Sequence, residues 1–228
     1  MPVAFERVWV VVPAYNEGSV VAATVGGLLP RFPNVIVVDD CSADATGQVA
    51  LGAGAHVARH PVNLGQGAAL ATGIAYALRQ GAEAIVTFDA DGQHGAADAE
   101  AMLHRLDETG VDVVLGSRFL GRAEGITSGR RLLLRLAVLF TRFTTGLALG
   151  DAHNGLRVLS RHAAQTIRIR QNRMAHASEI LEQIAAHGLR FTEAPCNIVY
   201  TDYSRAKGQR WTGAFGILAD LLTRRLYR

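Results

Sequence analysis

Several residue types are scarce in this chain of 228 residues, and each scarcity excludes a class of protein. The only cysteines are Cys41 and Cys196, which are too few for a disulfide framework and favour a reducing, cytoplasmic setting. Aromatic residues make up 7% of the chain and no recognised nucleic-acid motif is present, so no nucleic-acid partner is expected. Lys207 is the single lysine, and arginines therefore supply nearly all of the 23 basic side chains.

Long apolar runs are also missing. The nearest candidate, residues 132–149, is interrupted by Arg135 and Arg142, so we expect no membrane-spanning helix. The segment from Met1 to Arg7 lacks a basic region followed by an apolar stretch and is not predicted to be a signal peptide. Because 49% of the residues are hydrophobic, the chain can bury a sizeable core, and we expect one domain over residues 1–228.

The two common glycine-rich phosphate cradles are absent. Gly52-Ala53-Gly54 follows a predicted helix instead of a strand, and it lacks the third glycine of a dinucleotide fingerprint. A P-loop requires Gly-Lys-Ser/Thr, whereas the single lysine precedes Gly208 and Gln209. Any phosphate that this protein binds is therefore expected to be held by a metal ion and by arginines.

Strand and helix patterns alternate through the first half of the chain. Short apolar strands are predicted at 7–12, 34–38, 56–59, 84–88 and 112–115. Helices are predicted at 19–29, 44–51 and 96–108, and another follows the loop 63–67 and ends near Arg79. Ser19 is the expected cap of the first helix, and Pro13 is expected to end the first strand. The short connections predict an α/β fold whose mostly parallel sheet is wrapped by right-handed crossovers.

The pattern changes after Gly116. A loop leads to a long amphipathic helix over Arg130 to Leu147, and a strand, two helices and an extended segment are predicted at 155–159, 161–169, 178–187 and 191–199. Pro195 favours an edge position for the last of these. A polar loop and a closing amphipathic helix over residues 211–227 complete the pattern.

Polar residues follow four of the predicted strands. The ends carry Tyr15-Asn16-Glu17, Asp39-Asp40, Asn63, and Asp89-Ala90-Asp91, which is followed by Gln93. The carboxyl ends of parallel strands face one crevice, where hard oxygen ligands suit Mg²⁺ or Mn²⁺. Each end could alternatively be a solvated structural turn.

Charge is distributed unevenly along the chain. Residues 1–115 carry 5 basic and 13 acidic residues, a balance of −8, and residues 116–228 carry 18 basic and 7 acidic residues, a balance of +11. The basic half could face a phosphate-bearing acceptor or an acidic membrane surface, or it could simply be solvated.

Five ordered motifs together resemble the inverting family 2 glycosyltransferases of the GT-A fold, and within them the dolichol-phosphate mannose synthase group of polyprenyl-phosphate sugar synthases. The motifs are Val12-Pro13-Ala14-Tyr15-Asn16-Glu17, Val38-Asp39-Asp40-Cys41-Ser42-Ala43-Asp44-Ala45-Thr46, Asn63-Leu64-Gly65-Gln66-Gly67-Ala68-Ala69, Asp89-Ala90-Asp91-Gly92-Gln93-His94 and Gly116-Ser117-Arg118-Phe119. The resemblance covers roughly residues 8–210. It implies a Rossmann-like α/β/α sandwich with a sugar-nucleotide half, 1–115, and an acceptor half, 116–228.

The resemblance also implies roles for the residues at the strand ends. A GDP- or UDP-sugar would contact Pro13, Tyr15, Glu17, Asp39, Asp40 and Asp89. A divalent cation, Mg²⁺ or Mn²⁺, would be bound by Asp89, Asp91 and Gln93, and it would neutralise charge on the departing diphosphate. The cation makes Asp91 a catalytic candidate.

The acceptor implied by the resemblance is a polyprenyl phosphate, such as a dolichyl or undecaprenyl phosphate. A phosphate is already an anion, so it needs positioning cations and no general base. The candidates are Arg118, Arg130, Arg131, Arg157, Arg205 and Lys207, of which Arg118 could instead meet the diphosphate. Glu179 corresponds to the region where hydroxyl-accepting relatives place a base, although it could also bind sugar hydroxyls or cap a helix.

Three functions remain open from the sequence. The first is metal-dependent, inverting transfer of a hexose to a polyprenyl phosphate. The second is transfer to a hydroxyl of a cell-envelope glycan or lipid-linked saccharide, and the third is a non-catalytic sugar-nucleotide-binding protein. The segments 130–147 and 211–228 could rest at the inner face of a membrane, which predicts a cytoplasmic and peripheral location, or they could pack on the sheet.

Overall fold

The computed structural model describes residues 3–121, 123–124, 128–152 and 154–199. The strands in these ranges are β1 Val8–Ala14, β2 Asn34–Asp39, β3 His56–Arg59, β4 Ala84–Thr87, β5 Val113–Ser117, β6 Ala123–Glu124, β7 Arg157–Ser160, β8 Phe191–Pro195 and β9 Ile198–Val199. The α-helices are α1 Val21–Leu28, α2 Thr46–Gly52, α3 Gln66–Arg79, α4 Ala96–Thr109, α5 Ser128–Thr145, α6 Arg161–Thr166 and α7 His176–Ala186. The predicted closing helix over 211–227, with Arg205 and Lys207 before it, lies outside the described residues.

Seven of the strands form one sheet in the order β3-β2-β1-β4-β7-β5-β8. β1 is parallel to β2 and β4, β2 is parallel to β3, and β5 is parallel to β8. β7 is antiparallel to both of its neighbours, β4 and β5. The predicted mostly parallel sheet is therefore confirmed, and residues from both halves of the chain contribute to it.

Apolar residues cover both faces of this sheet. Alternate residues of β1 point to opposite sides, so Val10 packs with the residues of α1 and α4, and Val11 packs with those of α3 and α7. The four central strands β1, β2, β4 and β5 are buried almost throughout, as expected for strands covered by helices on both faces. This arrangement is the predicted α/β/α sandwich.

Two local predictions in the first motif are wrong. β1 continues through Pro13 to Ala14. Pro13 has no N–H to donate, and this is tolerated because the pairing of β1 with β4 ends at Val11. The cap of α1 is Val20 without a side-chain bond, and the Glu17 carbonyl accepts the N–H groups of Val20 and Val21. The prediction that Pro195 lies on an edge strand is confirmed, because β8 ends the sheet order.

The helix α5 carries an exposed row of large apolar side chains. Leu132, Leu136, Leu139 and Phe143 are 61%, 54%, 59% and 75% exposed, and their spacing places them on one side of the helix. We call these four residues the α5 apolar face. Among the helices that the structure describes, none has the length and hydropathy needed to cross a bilayer.

Candidate active site

Hydrogen bonds join the loop after β1 to the loop after β2. The Asn16 N–H donates to Ser42 Oγ (2.9 Å), and the Glu17 N–H donates to Thr46 Oγ1 (2.8 Å). Asn16 returns a bond by accepting the Ala43 N–H at 2.8 Å. These contacts hold Tyr15, whose ring is 46% exposed, at the rim of the crevice and keep Glu17 mostly buried.

Asp39 ends β2 with one carboxylate oxygen lacking a hydrogen-bond partner. Its Oδ1 accepts the Ser42 N–H at 2.8 Å, whereas Oδ2 is buried without a hydrogen bond and lies 3.5 Å from Arg59 Nε. The side chain is only 1% exposed, and a buried carboxylate oxygen without a donor is costly. Asp39 is therefore poised to accept a hydrogen bond from a bound ligand.

Asp40 binds the loop before α3 through its carboxylate. Its carboxylate accepts the N–H groups of Leu64 (2.9 Å) and Gly65 (2.7 Å), and His60 Nδ1 lies 2.7 Å from Oδ1. Burial raises the pKa of Asp40, but these hydrogen bonds outweigh it and hold the pKa below its usual value. Asp40 thus fixes the loop before α3.

Replacing Asp40 with asparagine is expected to lower the free energy of unfolding by about 1–3 kcal/mol at neutral pH, because two partly buried N–H groups lose a charged acceptor. A lowered folded-state pKa contributes stability above the unfolded-state value of about 3.9, and that stability disappears as the pH falls through the folded-state value. The difference between wild type and variant should therefore shrink below about pH 4. Urea unfolding at several pH values tests this, with Glu6→Gln on the exposed N-terminal turn as control; equal stabilities at neutral pH would contradict it.

The turn after β4 brings Asp89 close to several partners. Asp89 Oδ1 accepts a hydrogen bond from Gln66 Nε2 at 2.9 Å, and Oδ2 lies 3.6 Å from His94 Nε2. On its other side, His94 Nδ1 lies 3.3 Å from the buried thiol of Cys196. Asp91 Oδ1 accepts the Gln93 N–H at 3.1 Å, which closes the turn.

The two aspartates of this turn titrate differently. Burial raises the pKa of Asp91 to about 6, and the negative charge of Asp89 raises it further. Burial also raises the pKa of Asp89, but His94, Arg157 and His176 outweigh burial and lower it. The unfavourable charge on Asp91 is the kind that a bound cation relieves.

The donor set at this turn fits a divalent cation that shares its coordination with a substrate. Within the described residues, no three His, Cys, Asp or Glu side chains converge in a ready-made metal cage. Mg²⁺ commonly takes one or two carboxylates together with substrate phosphates. Asp89 and Asp91, with the amide of Gln93, supply ligands of that type.

Two of the arginines predicted to meet the acceptor phosphate are buried. Arg157 lies in β7, only 2% exposed, with buried Nη1 lacking a hydrogen-bond partner. Burial lowers the pKa of Arg157 to about 10, while the charges of Asp89 and Asp151 oppose that change. Arg118 is 7% exposed, and its Nε donates to Asp151 Oδ2 at 2.6 Å. Arg118 pairs with the buried carboxylate of Asp151, and Arg157 lies between β4 and β5 because β7 is inserted there.

The other predicted acceptor residues lie on α5 or outside the described part of the chain. Arg131 is exposed on α5, which also carries Arg130, whereas Arg205 and Lys207 lie outside the described residues. The Glu179 carboxylate accepts the backbone N–H groups of Arg170 (3.0 Å) and Gln171 (2.9 Å), so this candidate carboxylate already binds two donors.

Sequence reasoning overlooked three contributors to the site. Gln66 orients Asp89, Asp151 pairs with Arg118, and Gly155 lies so close to Asp89 that a Cβ there would be 2.0 Å from Oδ2. Gln66 belongs to the motif of residues 63–69, and Gly155 belongs to the strand predicted at 155–159. Their common partner, Asp89, is 23 and 66 positions away along the chain, so no local pattern could reveal the contacts.

A mostly parallel α/β sheet with carboxylates at the carboxyl ends of its central strands defines a class of proteins that bind ligands in the crevice beyond those ends. The family model described as "Glycosyl transferase family 2" matches residues 9–168. The chain belongs to this family and is a glycosyltransferase.

Proteins similar to the chain over most of its length support the same assignment. An uncharacterized protein of Methanocaldococcus jannaschii is 35% identical and aligns over 97% of this chain and 93% of its own. The UDP-N-acetylglucosamine–dolichyl-phosphate N-acetylglucosaminyltransferase of Methanococcus voltae is 29% identical over 96% of both chains. The undecaprenyl-phosphate mannosyltransferase of Micrococcus luteus is 28% identical over 88% of this chain and 87% of its own. The predicted resemblance to polyprenyl-phosphate sugar synthases is confirmed.

Solved structures confirm the GT-A fold. A glucosyl-3-phosphoglycerate synthase of Mycobacterium tuberculosis, crystallised with Mn²⁺ and UDP-glucose, superposes with a TM-score of 0.73 and is 19% identical. The match covers 95% of this chain and 78% of that one.

Proposed function

We propose that this protein transfers a hexose, with inversion, from a nucleoside-diphosphate sugar to a polyprenyl phosphate, in a reaction that depends on Mg²⁺ or Mn²⁺. The observation that carries the proposal is that relatives aligned over nearly the whole chain are named for transfer to dolichyl phosphate and undecaprenyl phosphate. The engagement of Glu179 by two backbone donors supports an acceptor that needs no base.

The donor side would be formed by the ends of β1, β2 and β4. The free Oδ2 of Asp39 would accept a hydrogen bond from the nucleoside, and Tyr15 would lie against it from the rim. Asp89, Asp91 and Gln93 would hold a divalent cation, which when bound neutralises charge on the departing nucleoside diphosphate. Gln66 and His94 keep the Asp89 carboxylate in place.

The reaction at the acceptor side would exchange one bond at the anomeric carbon. A phosphate oxygen of the acceptor forms a bond to this carbon as the bond to the diphosphate oxygen breaks, and the nucleoside diphosphate leaves. Arg131 is exposed and could orient the acceptor phosphate. Arg118 and Arg157 would contribute positive potential from beneath the site.

An activity screen tests the proposal. Purified protein is incubated with Mn²⁺ or Mg²⁺, a short polyprenyl phosphate and each of several UDP- and GDP-sugars, and products are identified by mass. We expect one donor to give a polyprenyl phosphate enlarged by one hexose or N-acetylhexosamine unit. Transfer only to the free hydroxyl of a lipid-linked saccharide would overturn the proposed acceptor.

A membrane contact follows from the proposed acceptor, because a polyprenyl chain lies in a bilayer. The α5 apolar face presents three exposed leucines, and Arg131 and Arg135 are exposed on the same helix. Apolar side chains beside arginines match the interface of an anionic membrane. We propose that α5 rests on such a membrane, at its cytoplasmic face.

The double variant Leu136→Glu, Leu139→Glu is expected to lose association with vesicles of phosphatidylglycerol and phosphatidylcholine. Burial of each leucine in the membrane contributes about 1.5–3 kcal/mol, and the substitutions remove this contribution. The two new carboxylates also repel anionic lipid. Co-sedimentation at low salt measures the effect. The control is Leu51→Glu on α2, which alters another leucine that is 64% exposed. Undiminished sedimentation, or loss of self-association instead of lipid binding, would contradict the membrane contact.

A further inference from the structure

Two side chains of α7, Glu179 and Gln183, form hydrogen bonds with the backbone of the segment that precedes this helix. Besides the bonds to Glu179, Gln183 Oε1 accepts the Arg168 N–H at 2.7 Å, and Gln183 Nε2 donates to the Arg168 carbonyl at 2.7 Å. Glu179 and Gln183 are one helical turn apart, so they lie on the same side of α7. Two side chains thus bind the backbone of Arg168, Arg170 and Gln171, a segment that joins α6 to α7 without being a strand.

The segment of residues 168–172 packs closely against the start of α3. The Asn172 carbonyl accepts the Ala68 N–H at 3.2 Å. A Cβ on Gly65 would be 2.4 Å from the Asn172 carbonyl oxygen, and a Cβ on Gly67 would be 2.0 Å from that of Gln171. Gly65 also has φ of +105°, a conformation that side chains disfavour. The two glycines of this motif are therefore needed for contact with another segment of the protein and do not cradle a phosphate.

Gln66 lies between these two glycines and connects the contact to the active site. It is the first residue of α3, and its Nε2 donates to Asp89 Oδ1 at 2.9 Å. The Asp40 carboxylate holds the preceding N–H groups, so the start of α3 is fixed on one side by Asp40 and on the other by Asn172. A shift of residues 170–172 would therefore displace Gln66 and change the orientation of Asp89.

We infer that Glu179 is a positioning residue for the metal and diphosphate site, acting through residues 170–172 and Gln66 on Asp89, and is not a general base. This inference rests on the proposed role of Asp89 at that site. Residues that orient a metal ligand through hydrogen bonds typically change metal affinity about 10–100-fold when they are removed. The same size of effect is expected here although Glu179 does not contact Asp89.

Mn²⁺ binding without substrate tests the inference in a double-mutant cycle. Glu179→Ala and Gln66→Ala are each expected to weaken Mn²⁺ affinity about tenfold, measured by electron paramagnetic resonance. Because both act through the same contact, the double variant should be about as weak as either single variant. The control is Glu182→Gln, an exposed carboxylate on the same helix. Unchanged Mn²⁺ affinity in Glu179→Ala would overturn the inference. A double variant whose loss of Mn²⁺ affinity equals the product of the two single losses would also overturn it.

The conservative variant separates positioning from base catalysis. Glu179→Gln keeps one oxygen that can accept a backbone N–H, so its Mn²⁺ affinity should lie between wild type and Glu179→Ala. A general base would instead make both variants equally inactive, with unchanged Mn²⁺ affinity and loss of the acidic limb of the pH–rate profile. That result would also overturn the inference.

Hydrogen exchange distinguishes failure of this inference from failure of the proposed function. Glu179→Ala should speed exchange in the peptide over residues 64–72, whose Ala68 N–H is bonded to Asn172, in the absence of any metal. Unchanged exchange there would refute the link from Glu179 to α3. Wild-type protein that binds no Mn²⁺, with exchange altered as expected, would refute the metal-dependent function and leave the link intact.

Discussion

Asp91→Asn is expected to reduce sugar transfer about 100- to 1,000-fold while the fold is retained. The substitution preserves shape but removes the negative charge proposed to hold the divalent cation. Burial raises the pKa of Asp91 to about 6, so the wild-type carboxylate is ionised at neutral pH and keeps a charge that the surroundings disfavour. An asparagine should therefore leave the free protein at least as stable as wild type.

The measurement combines the initial rate of transfer with Mn²⁺ affinity and thermal unfolding. Glu108→Gln, which removes an exposed carboxylate from α4, is the matched control. A variant that transfers sugar at the wild-type rate would refute the assignment of Asp91 as a metal ligand. A variant that loses both activity and thermal stability would show that Asp91 is structural.

Gly155→Ala is expected to lower activity about 100-fold, because a displacement of about 1 Å at a reacting site can cost that much. The new methyl group would lie 2.0 Å from Asp89 Oδ2 and 2.6 Å from its Cγ. The backbone at Gly155 cannot easily retreat, since its carbonyl accepts the hydroxyl of Thr87 at 2.7 Å. The Asp89 carboxylate would have to rotate away and would lose its bond from Gln66.

The control for this change is Gly95→Ala at the start of α4, where a Cβ would have no neighbour within 4 Å. We expect Gly95→Ala to retain full activity and Gly155→Ala to weaken Mn²⁺ binding along with transfer. If Gly155→Ala bound Mn²⁺ as tightly as the wild type, Asp89 would tolerate the methyl group. The close approach of Gly155 to Asp89 would then have no functional role.

The sheet could be predicted because each strand is specified by a short apolar run within a few consecutive residues. The strand predicted at 84–88 is β4 Ala84–Thr87, and the apolar run before Asp39 is β2. Alternating strands and helices with short connections were sufficient to predict a mostly parallel sheet, and the carboxylates after its strands were sufficient to predict a crevice.

The roles of individual side chains depended on contacts that no local pattern contains. Asp39 and Asp40 are adjacent carboxylates, but Asp39 keeps a free buried oxygen while Asp40 binds N–H groups 24 and 25 positions away. Arg157 was predicted to position the acceptor phosphate, and no local pattern shows where its strand lies in the sheet. Its burial follows from the antiparallel insertion of β7, which requires the whole topology to be known.

The position of β7 also determines the order in which the sheet can be completed during synthesis. β4 and β5 leave the ribosome before residues 157–160 exist, and each then has an edge without its final neighbour. The pairings of β7 with β4 span 70 to 76 positions, so they raise the contact order and delay the last step of folding. A nascent chain stalled before residue 157 would expose one edge of β4 and both edges of β5, and we expect it to bind chaperones or aggregate.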